Sequence, residues 1–374
     1  MSDEPVYLDH NATTPVAPEA AEAMWPYLTD LFGNPSGATP QAARARAAVD
    51  RAREQLAALI GARPDEIIFT SGGTESNNLA IRGSAPDART PVVVTSPVEH
   101  PATQAPVEHL RRQHGWTVTE VPVDAAARIR LDRMPGGPLG LGTLILAHNE
   151  TGTLQPMRAF ADAVHARGGV VHADGAQAVG KIGVSVDDLT VDLLSIAGHK
   201  FYGPKGVGAL YIRRGTPVAP VLLGAGQEHG MRPGTENVAG IVGLGEAAEL
   251  AGSLLESEPV RQERLRERLW SLLVREIPEI VRITPSESTL PNTLMVAVPG
   301  MLGADVLAAA HTVAASTGSA CHTGVHSPSA ALVATGLDET TALGALRLSL
   351  GRSTTETDID TAASALITAA RSDH

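Results

Sequence analysis

Short apolar runs, each followed by a polar turn and a helical pattern, recur through the first half of this chain. The runs are residues 67–70, 92–95, 144–146, 170–172 and 193–196. Strands that alternate with helices form βαβ units, which build a mostly parallel sheet covered by helices. Ligands of such sheets bind beyond the carboxyl ends of the strands. The sequence therefore predicts an α/β fold with a binding site at those strand ends.

The length of the chain predicts two domains, because 374 residues exceed the usual size of a single hydrophobic core. Residues 258–274 are charged on one face and apolar on the other, which indicates a long helix between two domains. Strand-like stretches at 293–298 and 345–350 follow, among helical patterns. The predicted domains are a large one, 15–255, and a smaller α/β domain, 1–14 with 256–374.

Composition and charge exclude several kinds of partner. The net charge of -12 argues against nucleic acid, which needs clustered Lys and Arg. No apolar run approaches the ~20 residues of a membrane span, and the acidic start MSDEPVYLDH is unlike a signal peptide. The only cysteine, Cys321, cannot form an internal disulfide and suits a reducing compartment. We therefore expect a cytoplasmic protein without nucleic-acid or membrane partners.

One lysine stands out by its surroundings. In residues 192–212 an apolar run leads into Gly198-His199-Lys200, a Gly-rich turn follows, and a second apolar run leaves that turn. This pattern predicts two paired strands that present His199 and Lys200 at their junction. A lysine held there loses hydration, which lowers its pKa and makes its amine nucleophilic toward a carbonyl. The alternative is an ordinary exposed turn lysine.

The single thiol lies in a segment of small residues, 316–329, which predicts a mobile loop. Cysteine is usually buried, so Cys321 in a polar loop indicates a nucleophile that can approach a substrate and then move away. The adjacent His322 could favour the thiolate. A metal site formed by Cys321, His322 and His326 is the alternative, but no fourth ligand is evident, and we predict no metal.

Several motifs in one order resemble the cysteine desulfurases, within the class V aminotransferase-like family. They are SGGTES, HADGAQAVGK, GHKFYGPKGVGALY and GSAC with a downstream Pro-Ser. The resemblance extends from about Tyr7 to Arg352. It implies a homodimeric fold-type-I enzyme dependent on pyridoxal 5'-phosphate, with a mostly parallel sheet of the seven-stranded type. The segment around Cys321 is similar to that of the nitrogen-fixation and iron–sulfur assembly desulfurases, which implies a protein sulfur acceptor.

The resemblance also implies roles for individual residues. Lys200 would bind the cofactor covalently, Asp174 would hold its ring nitrogen protonated, and His100 would stack on the ring and transfer protons. The implied cofactor-binding set is Gly73, Thr74, His100, Asn149, Asp174, Gln177, His199, Lys200 and, across a dimer interface, Thr235. Ala197 stands where the family usually has a serine, so one hydrogen bond to the cofactor phosphate is expected to be missing.

Substrate recognition is implied for two further residues. By resemblance, Asn34 helps to bind the substrate carboxylate, and Arg352 grips it with a guanidinium fork. Each has a simpler alternative. Asn34 precedes a proline and is a common turn residue, and Arg352 could form a surface salt bridge.

The activity implied by the resemblance is conversion of L-cysteine to L-alanine, with the sulfur carried as a persulfide on Cys321. Two alternatives remain. Selenocysteine lyases share the architecture and can also have a histidine after the cysteine. A catalytically weak scaffold of a sulfur-assembly complex would keep the fold, although intact Lys200, Asp174 and Cys321 argue against it.

Overall fold

The computed structural model describes residues 4–317, 319–322 and 325–371, and only the backbone of 319–322 and 325–326. The strands are β1 (Val6–Tyr7), β2 (Ile67–Thr70), β3 (Val92–Thr95), β4 (Thr117–Glu120), β5 (Leu141–Ile145), β6 (Val170–Asp174), β7 (Leu193–Ala197), β8 (Gly208–Ile212), β9 (Val281–Arg282), β10 (Thr293–Ala297), β11 (Val313–Ala314), β12 (Ser316–Thr317), β13 (Ser319–His322), β14 (Val325–Pro328) and β15 (Ala345–Ser349). The helices are α1 (Pro18–Thr29), α2 (Pro40–Ile60), α3 (Gly73–Gly83), α4 (Pro101–His114), α5 (Met157–His165), α6 (Val186–Leu189), α7 (Val238–Leu254), α8 (Glu258–Glu276), α9 (Gly303–Ala309), α10 (Ala330–Ala334), α11 (Glu339–Leu343) and α12 (Glu356–Arg371).

A seven-stranded sheet forms the centre of the fold, in the order β2-β8-β7-β6-β5-β3-β4. Strands β7, β6, β5, β3 and β4 pair in parallel, and β8 runs antiparallel to both β2 and β7. The predicted α/β fold with a mostly parallel sheet is confirmed. So is the pairing of the two strands on either side of the Lys200 turn.

Strand β4 was not predicted from the sequence, and the reason is physical. Its four residues, TVTE, are exposed or half-buried at the sheet edge, so they lack the apolar run that marks the central strands. The central strand β5, by contrast, is buried along its whole length. It begins three residues before the predicted run, because Gly142 and Thr143 interrupt the apolar pattern without ending the strand.

A second, antiparallel sheet has the order β12-β15-β10-β9. Its apolar face packs with helices α8 and α12, and buried Leu269, Val296 and Leu366 belong to this core. A larger core surrounds the seven-stranded sheet and extends along the chain from Ala17 to Leu290. The exact domain limits stay a prediction.

The N-terminal segment connects these two parts. Strand β1 pairs with β11, and Ser349 donates from its backbone N–H to the carbonyl of Leu8 at 2.7 Å. Six residues after Leu8, the Thr14 N–H donates to the carbonyl of His199 at 3.0 Å. This segment therefore crosses from the second sheet to the lysine turn of the first.

The region around the cysteine corrects a prediction. Strands β13 and β14 form an antiparallel hairpin in which Cys321 is opposite His326, where the sequence predicted a loop. Small residues are compatible with both, because a hairpin is held by backbone hydrogen bonds and needs no apolar side chains. The side chains of Cys321, His322 and His326 lie outside the described residues.

In the described part of the chain, no helix alone is long and apolar enough to cross a membrane. Helices α7 and α8 satisfy the criteria only when taken together, and they meet at a bend of 74°.

Candidate active site

A cavity of about 250 Å³ lies at the carboxyl ends of β5, β6 and β7, and we call it the main cavity. Eight of the residues predicted from the sequence line it: Gly73, Thr74, His100, Asn149, Asp174, Gln177, His199 and Lys200. The other lining residues are Asn77, Ala102, Ile145, Ala176 and Ala197. Residues from five separate segments thus meet where the strand pattern predicted a ligand.

Lys200 ends a short 3-10 turn that follows β7. Its Nζ donates to the carbonyl oxygens of Asn11 and Ala12 at 2.9 and 2.8 Å. Burial lowers the pKa of Lys200 to about 8, and the positive charge of Arg347 adds to this, against the opposing effect of Asp174. A substantial fraction of the amine is therefore neutral near pH 8, as a nucleophile toward a carbonyl requires.

Asp174 ends β6 and is only 3% exposed. Its Oδ2 accepts hydrogen bonds from Asn77 Nδ2 at 2.8 Å and Thr103 Oγ1 at 3.4 Å. Its Oδ1 accepts from the Ala176 N–H at 3.0 Å. These three donors fix the carboxylate at the wall of the main cavity. Asn77 was missed by the sequence reasoning, although it stands three residues after Thr74 in the same helix.

Helix α3 begins at Gly73, and no side chain caps its N-terminus. Free N–H groups and the positive helix end form an anion site there. His199 also lines the main cavity, and its Nδ1 is 3.1 Å from Thr13 Oγ1. Burial, then the charge of Lys200, lowers the pKa of His199 to about 4, so its ring is neutral at pH 7.

Ala197 contributes a methyl group at this anion site. A Cβ built on Gly73 would lie 3.3 Å from the Ala197 Cβ, so the two residues are in contact. Ser195, two residues earlier, cannot supply the missing hydroxyl. It is fully buried, and its Oγ is 2.9 Å from His172 Nε2.

His100 precedes α4 and accepts a hydrogen bond on Nδ1 from the Ala102 N–H at 3.0 Å. The neutral ring therefore carries its proton on Nε2. Burial lowers the pKa of His100, an effect that the negative charge of Asp174 opposes. This arrangement gives the cavity a neutral imidazole with an Nε2–H group that can donate a hydrogen bond.

Three predicted residues lie outside the main cavity. Asn34 is exposed, and its Oδ1 accepts from the Ser36 N–H at 3.0 Å, as in an ordinary turn. Thr235 is exposed in a loop whose earlier part is anchored by a two-point ion pair between Arg53 and Glu228. The predicted roles of Asn34 and Thr235 stay predictions.

Arg352, the third of these residues, lines a smaller cavity of about 20 Å³ that also reaches Lys200. Its guanidinium lies over the Tyr202 ring, 4.2 Å from the centroid. Its backbone N–H donates to Tyr202 Oη at 2.6 Å. The predicted contact with a substrate carboxylate stays a prediction.

The sequence reasoning missed Arg347, which is almost fully buried in β15. Its Nη2 donates to Asp9 Oδ1 at 2.7 Å and its Nη1 to the Asn149 carbonyl at 3.2 Å. Its buried Nε has no hydrogen-bond partner within the described residues. An arginine inside an apolar strand, LRLSL, was the available signal, because a buried charge needs a partner.

The residues of the main cavity fit pyridoxal phosphate. The uncapped start of α3 and His199 suit a phosphate, Asp174 suits a protonated ring nitrogen, and Lys200 suits an aldehyde carbon. No group of three His, Cys, Asp or Glu residues in the described part of the chain could hold a metal ion.

Comparison with known proteins gives consistent results. The family model described as Aminotransferase class-V matches residues 6–361. A cysteine desulfurase from Trichormus azollae is 44% identical over 363 residues, which cover 95% of this chain and 90% of that protein. A selenocysteine lyase from Bos taurus is 40% identical over 403 residues, covering 95% and 91%. A solved structure described as a NifS-like protein is 36% identical, with a TM-score of 0.90 and coverage of 97% and 98%.

The main cavity and the order of its motifs thus agree with relatives that match the chain over nearly its whole length. Enzymes of this family depend on pyridoxal phosphate. The chain belongs to the aminotransferase class-V family, among the NifS-like cysteine desulfurases.

Proposed function

We propose that this protein is a pyridoxal-phosphate-dependent cysteine desulfurase that forms L-alanine from L-cysteine and transfers the sulfur to Cys321. The observation that carries the proposal is the meeting of Lys200, Asp174 and the uncapped start of α3 around one cavity. The relatives named cysteine desulfurase support the choice of substrate.

The cofactor would be held at three points. Lys200 would bind its aldehyde carbon, Gly73, Thr74 and His199 its phosphate, and Asp174 its ring nitrogen. Gln177 and Asn149 would contact the edge that carries the phenolic oxygen. When bound, pyridoxal phosphate supplies an electron sink for negative charge at the substrate carbons. The carboxylate of Asp174, held by its three donors, would keep the ring nitrogen protonated for that purpose.

Two arginines are candidates for binding the substrate carboxylate. Arg352 is favoured by the resemblance, but it is stacked on Tyr202 in the smaller cavity. Arg347 is favoured by geometry, because it contacts the Asn149 carbonyl at the main cavity and its Nε has no partner within the described residues. We assign the carboxylate to Arg347 and keep the carboxylate role of Asn34, which the resemblance implies, as part of the proposal. His100, whose neutral ring carries its proton on Nε2, keeps the proton-transfer role that the resemblance implies.

The sulfur step balances without an external oxidant or reductant. The Cys321 thiolate attacks the sulfur of the substrate, a sulfur–sulfur bond forms, and the bond from that sulfur to the substrate Cβ breaks. The electron pair of the broken bond remains on Cβ, which takes up a proton and becomes the methyl group of alanine. The products are alanine and a persulfide on Cys321, which a protein acceptor then receives.

The proposal includes a cytoplasmic homodimer in which Thr235 completes the partner's site. Support comes from the exposure of Thr235 and from the absence of any Thr235 contact with the main cavity of its own chain. Sedimentation of the active species tests the dimer, and an active monomer would contradict it.

The decisive experiment measures alanine and sulfide from L-cysteine, with and without a reductant, for the protein and for Cys321→Ala. The chain has one cysteine, so a protein persulfide can form only on Cys321. We expect Cys321→Ala to bind the cofactor and form almost no alanine. Near-normal alanine formation by this variant would exclude Cys321 as the nucleophile, and no turnover by the parent protein would favour the weak-scaffold alternative.

Selenocysteine lyase activity is the second candidate, supported by the bovine relative and by His322 next to the cysteine. A competition assay with equal L-cysteine and L-selenocysteine distinguishes the two. Strong preference for selenocysteine, with alanine formation that survives Cys321→Ala, would favour the lyase.

A further inference from the structure

Lys181 is a second lysine near the site, and the proposed chemistry makes no use of it. Its Nζ lies 2.6 Å from Gln177 Oε1 and 2.8 Å from Asn11 Oδ1. It follows Gly180, where φ is +76° and a Cβ would lie 2.7 Å from the Phe201 Cβ. Glycine at position 180 thus allows the turn that carries Lys181 to pack closely against Phe201, the residue after Lys200.

The amine of Lys181 is the hydrogen-bond donor toward both neighbours, since each presents an amide oxygen to it. Burial, together with the charges of Lys200 and Arg347, lowers its pKa well below the ordinary value. Both the ammonium and the neutral amine still have at least two N–H groups. Lys181 therefore donates to both oxygens in either protonation state.

This donation determines which way the Gln177 amide faces. An amide can be turned over with little change in shape, so its orientation is set by its hydrogen-bond partners. Lys181 requires the oxygen on its side, and the Asn11 carbonyl, 2.9 Å from Gln177 Nε2, requires the nitrogen on the other. The Nε2 group has two N–H bonds, and among the described residues only the Asn11 carbonyl receives one. The second is available to a ligand in the main cavity, which Gln177 lines.

Asn11 is oriented in the same way. Its Oδ1 accepts from Lys181 and from Asn292 Nδ2 at 3.0 Å, while its Nδ2 donates to Thr293 Oγ1 at 2.8 Å. The backbone carbonyl of this fixed residue accepts from Lys200 Nζ. Lys181 is thus connected to Lys200 through Asn11 and to the wall of the main cavity through Gln177.

We infer that Lys181 is a positioning residue that fixes the Gln177 and Asn11 amides, so that Gln177 always offers an N–H to the phenolic oxygen of the cofactor. The inference rests on the proposed function. The competing explanation is that Lys181 only fills space between two turns, or acts on the site through its charge alone.

The test follows the visible absorption of the bound cofactor as the pH is raised, which reports the pKa of the link between Lys200 and the cofactor. The proteins are the parent, Lys181→Met, Lys181→Arg, Gln177→Ala and the double variant Lys181→Met with Gln177→Ala. An N–H donated to the phenolic oxygen stabilises its negative charge and lowers this pKa. We expect Lys181→Met and Gln177→Ala each to raise this pKa by about one pH unit. Lys181→Arg keeps N–H donors, so the pKa in that variant should stay close to that of the parent.

The double variant distinguishes an effect of Lys181 on the orientation of the Gln177 amide from a direct effect of the Lys181 charge. If Lys181 acts through the Gln177 amide, Lys181→Met adds almost nothing in the Gln177→Ala background. Fully additive shifts, or a titration of Lys181→Met that matches the parent, would overturn the inference. Lys181→Ala replaces Lys181→Met if the latter does not fold. A parent protein that binds no cofactor would instead refute the proposed function, which is a distinct result.

Discussion

Two cavities meet at Lys200, and they differ in size more than in polarity. The main cavity, of about 250 Å³, has the Asp174 carboxylate and the uncapped start of α3. The smaller one, of about 20 Å³, is lined by Lys181, Arg352 and His10 among others. It has room for about one water molecule, and His10 Nδ1 and Arg352 Nη1 have no protein partner within the described part of the chain. Polar residues alone therefore do not mark a ligand site, and room for the ligand must accompany them.

The strongest test of this contrast removes the charge of the main cavity. Asp174→Asn should still bind the cofactor, but the neutral amide no longer stabilises the protonated ring nitrogen. We therefore expect the rate of alanine formation to fall by about 10²–10⁴-fold. The matched control is Asp192→Asn, just before the first residue of β7, where the carboxylate bonds to the Val171 N–H and to His165. A similar loss in both variants would mean that a general defect of folding explains the result.

The two arginines test the division between the cavities directly. Arg347→Gln should raise the KM for cysteine by about 10–100-fold, because a hydrogen bond to a charged group is lost. Arg352→Gln, in the smaller cavity, should change it much less. The reverse order in steady-state kinetics would mean that the carboxylate binds where the family resemblance predicted.

The pKa of Lys200 predicts how the rate of cofactor binding depends on pH. Below this pKa, the rate should rise by about tenfold per pH unit. Only the neutral amine can attack the cofactor, so reconstitution of the cofactor-free protein should accelerate up to about pH 8 and then level off. The folded-state pKa is below the ordinary 10.5, so between these values the unfolded state binds more protons and the contribution to stability rises with pH. Stopped-flow absorption measures the rate. Continued acceleration beyond pH 9 would show that Lys200 is not desolvated.

The smallest expected effect concerns the phosphate end of the main cavity. Ala197→Ser adds a hydroxyl at the residue whose Cβ lies beside Gly73. Dialysis should then remove the cofactor up to about tenfold more slowly. Ser195→Ala, which alters a hydroxyl bonded to His172 outside the cavity, is the control. Equal rates for Ala197→Ser and the parent would indicate that the phosphate already has enough donors.

Local sequence patterns could predict the main cavity because each of its central residues follows a strand. Asp174 ends β6 and Lys200 closely follows β7, so the order of strands brings them together. The pattern could not choose between Arg347 and Arg352, which are five residues apart. Arg347 lies within the strand and reaches Asn149, while Arg352 lies beyond the strand end beside Tyr202.

Contacts between distant parts of the chain were also beyond the sequence reasoning. The motif HADGAQAVGK includes Lys181, but its partner Asn11 is 170 residues away, and no local periodicity indicates that pairing. The cysteine hairpin illustrates another limit. Its residues are small and polar, so they predicted a loop, whereas pairing of the backbone determines the strands.

The hydrogen bonds of Asn11 have a consequence for the order of folding. This residue contacts Thr293 and Ser349, which are 282 and 338 positions later in the chain. During synthesis at about 5–20 residues per second, those partners emerge tens of seconds after Asn11 itself. The carbonyl that supports Lys200 can therefore take its final position only when nearly the whole chain has left the ribosome, and nascent chains should remain unable to retain the cofactor until that moment.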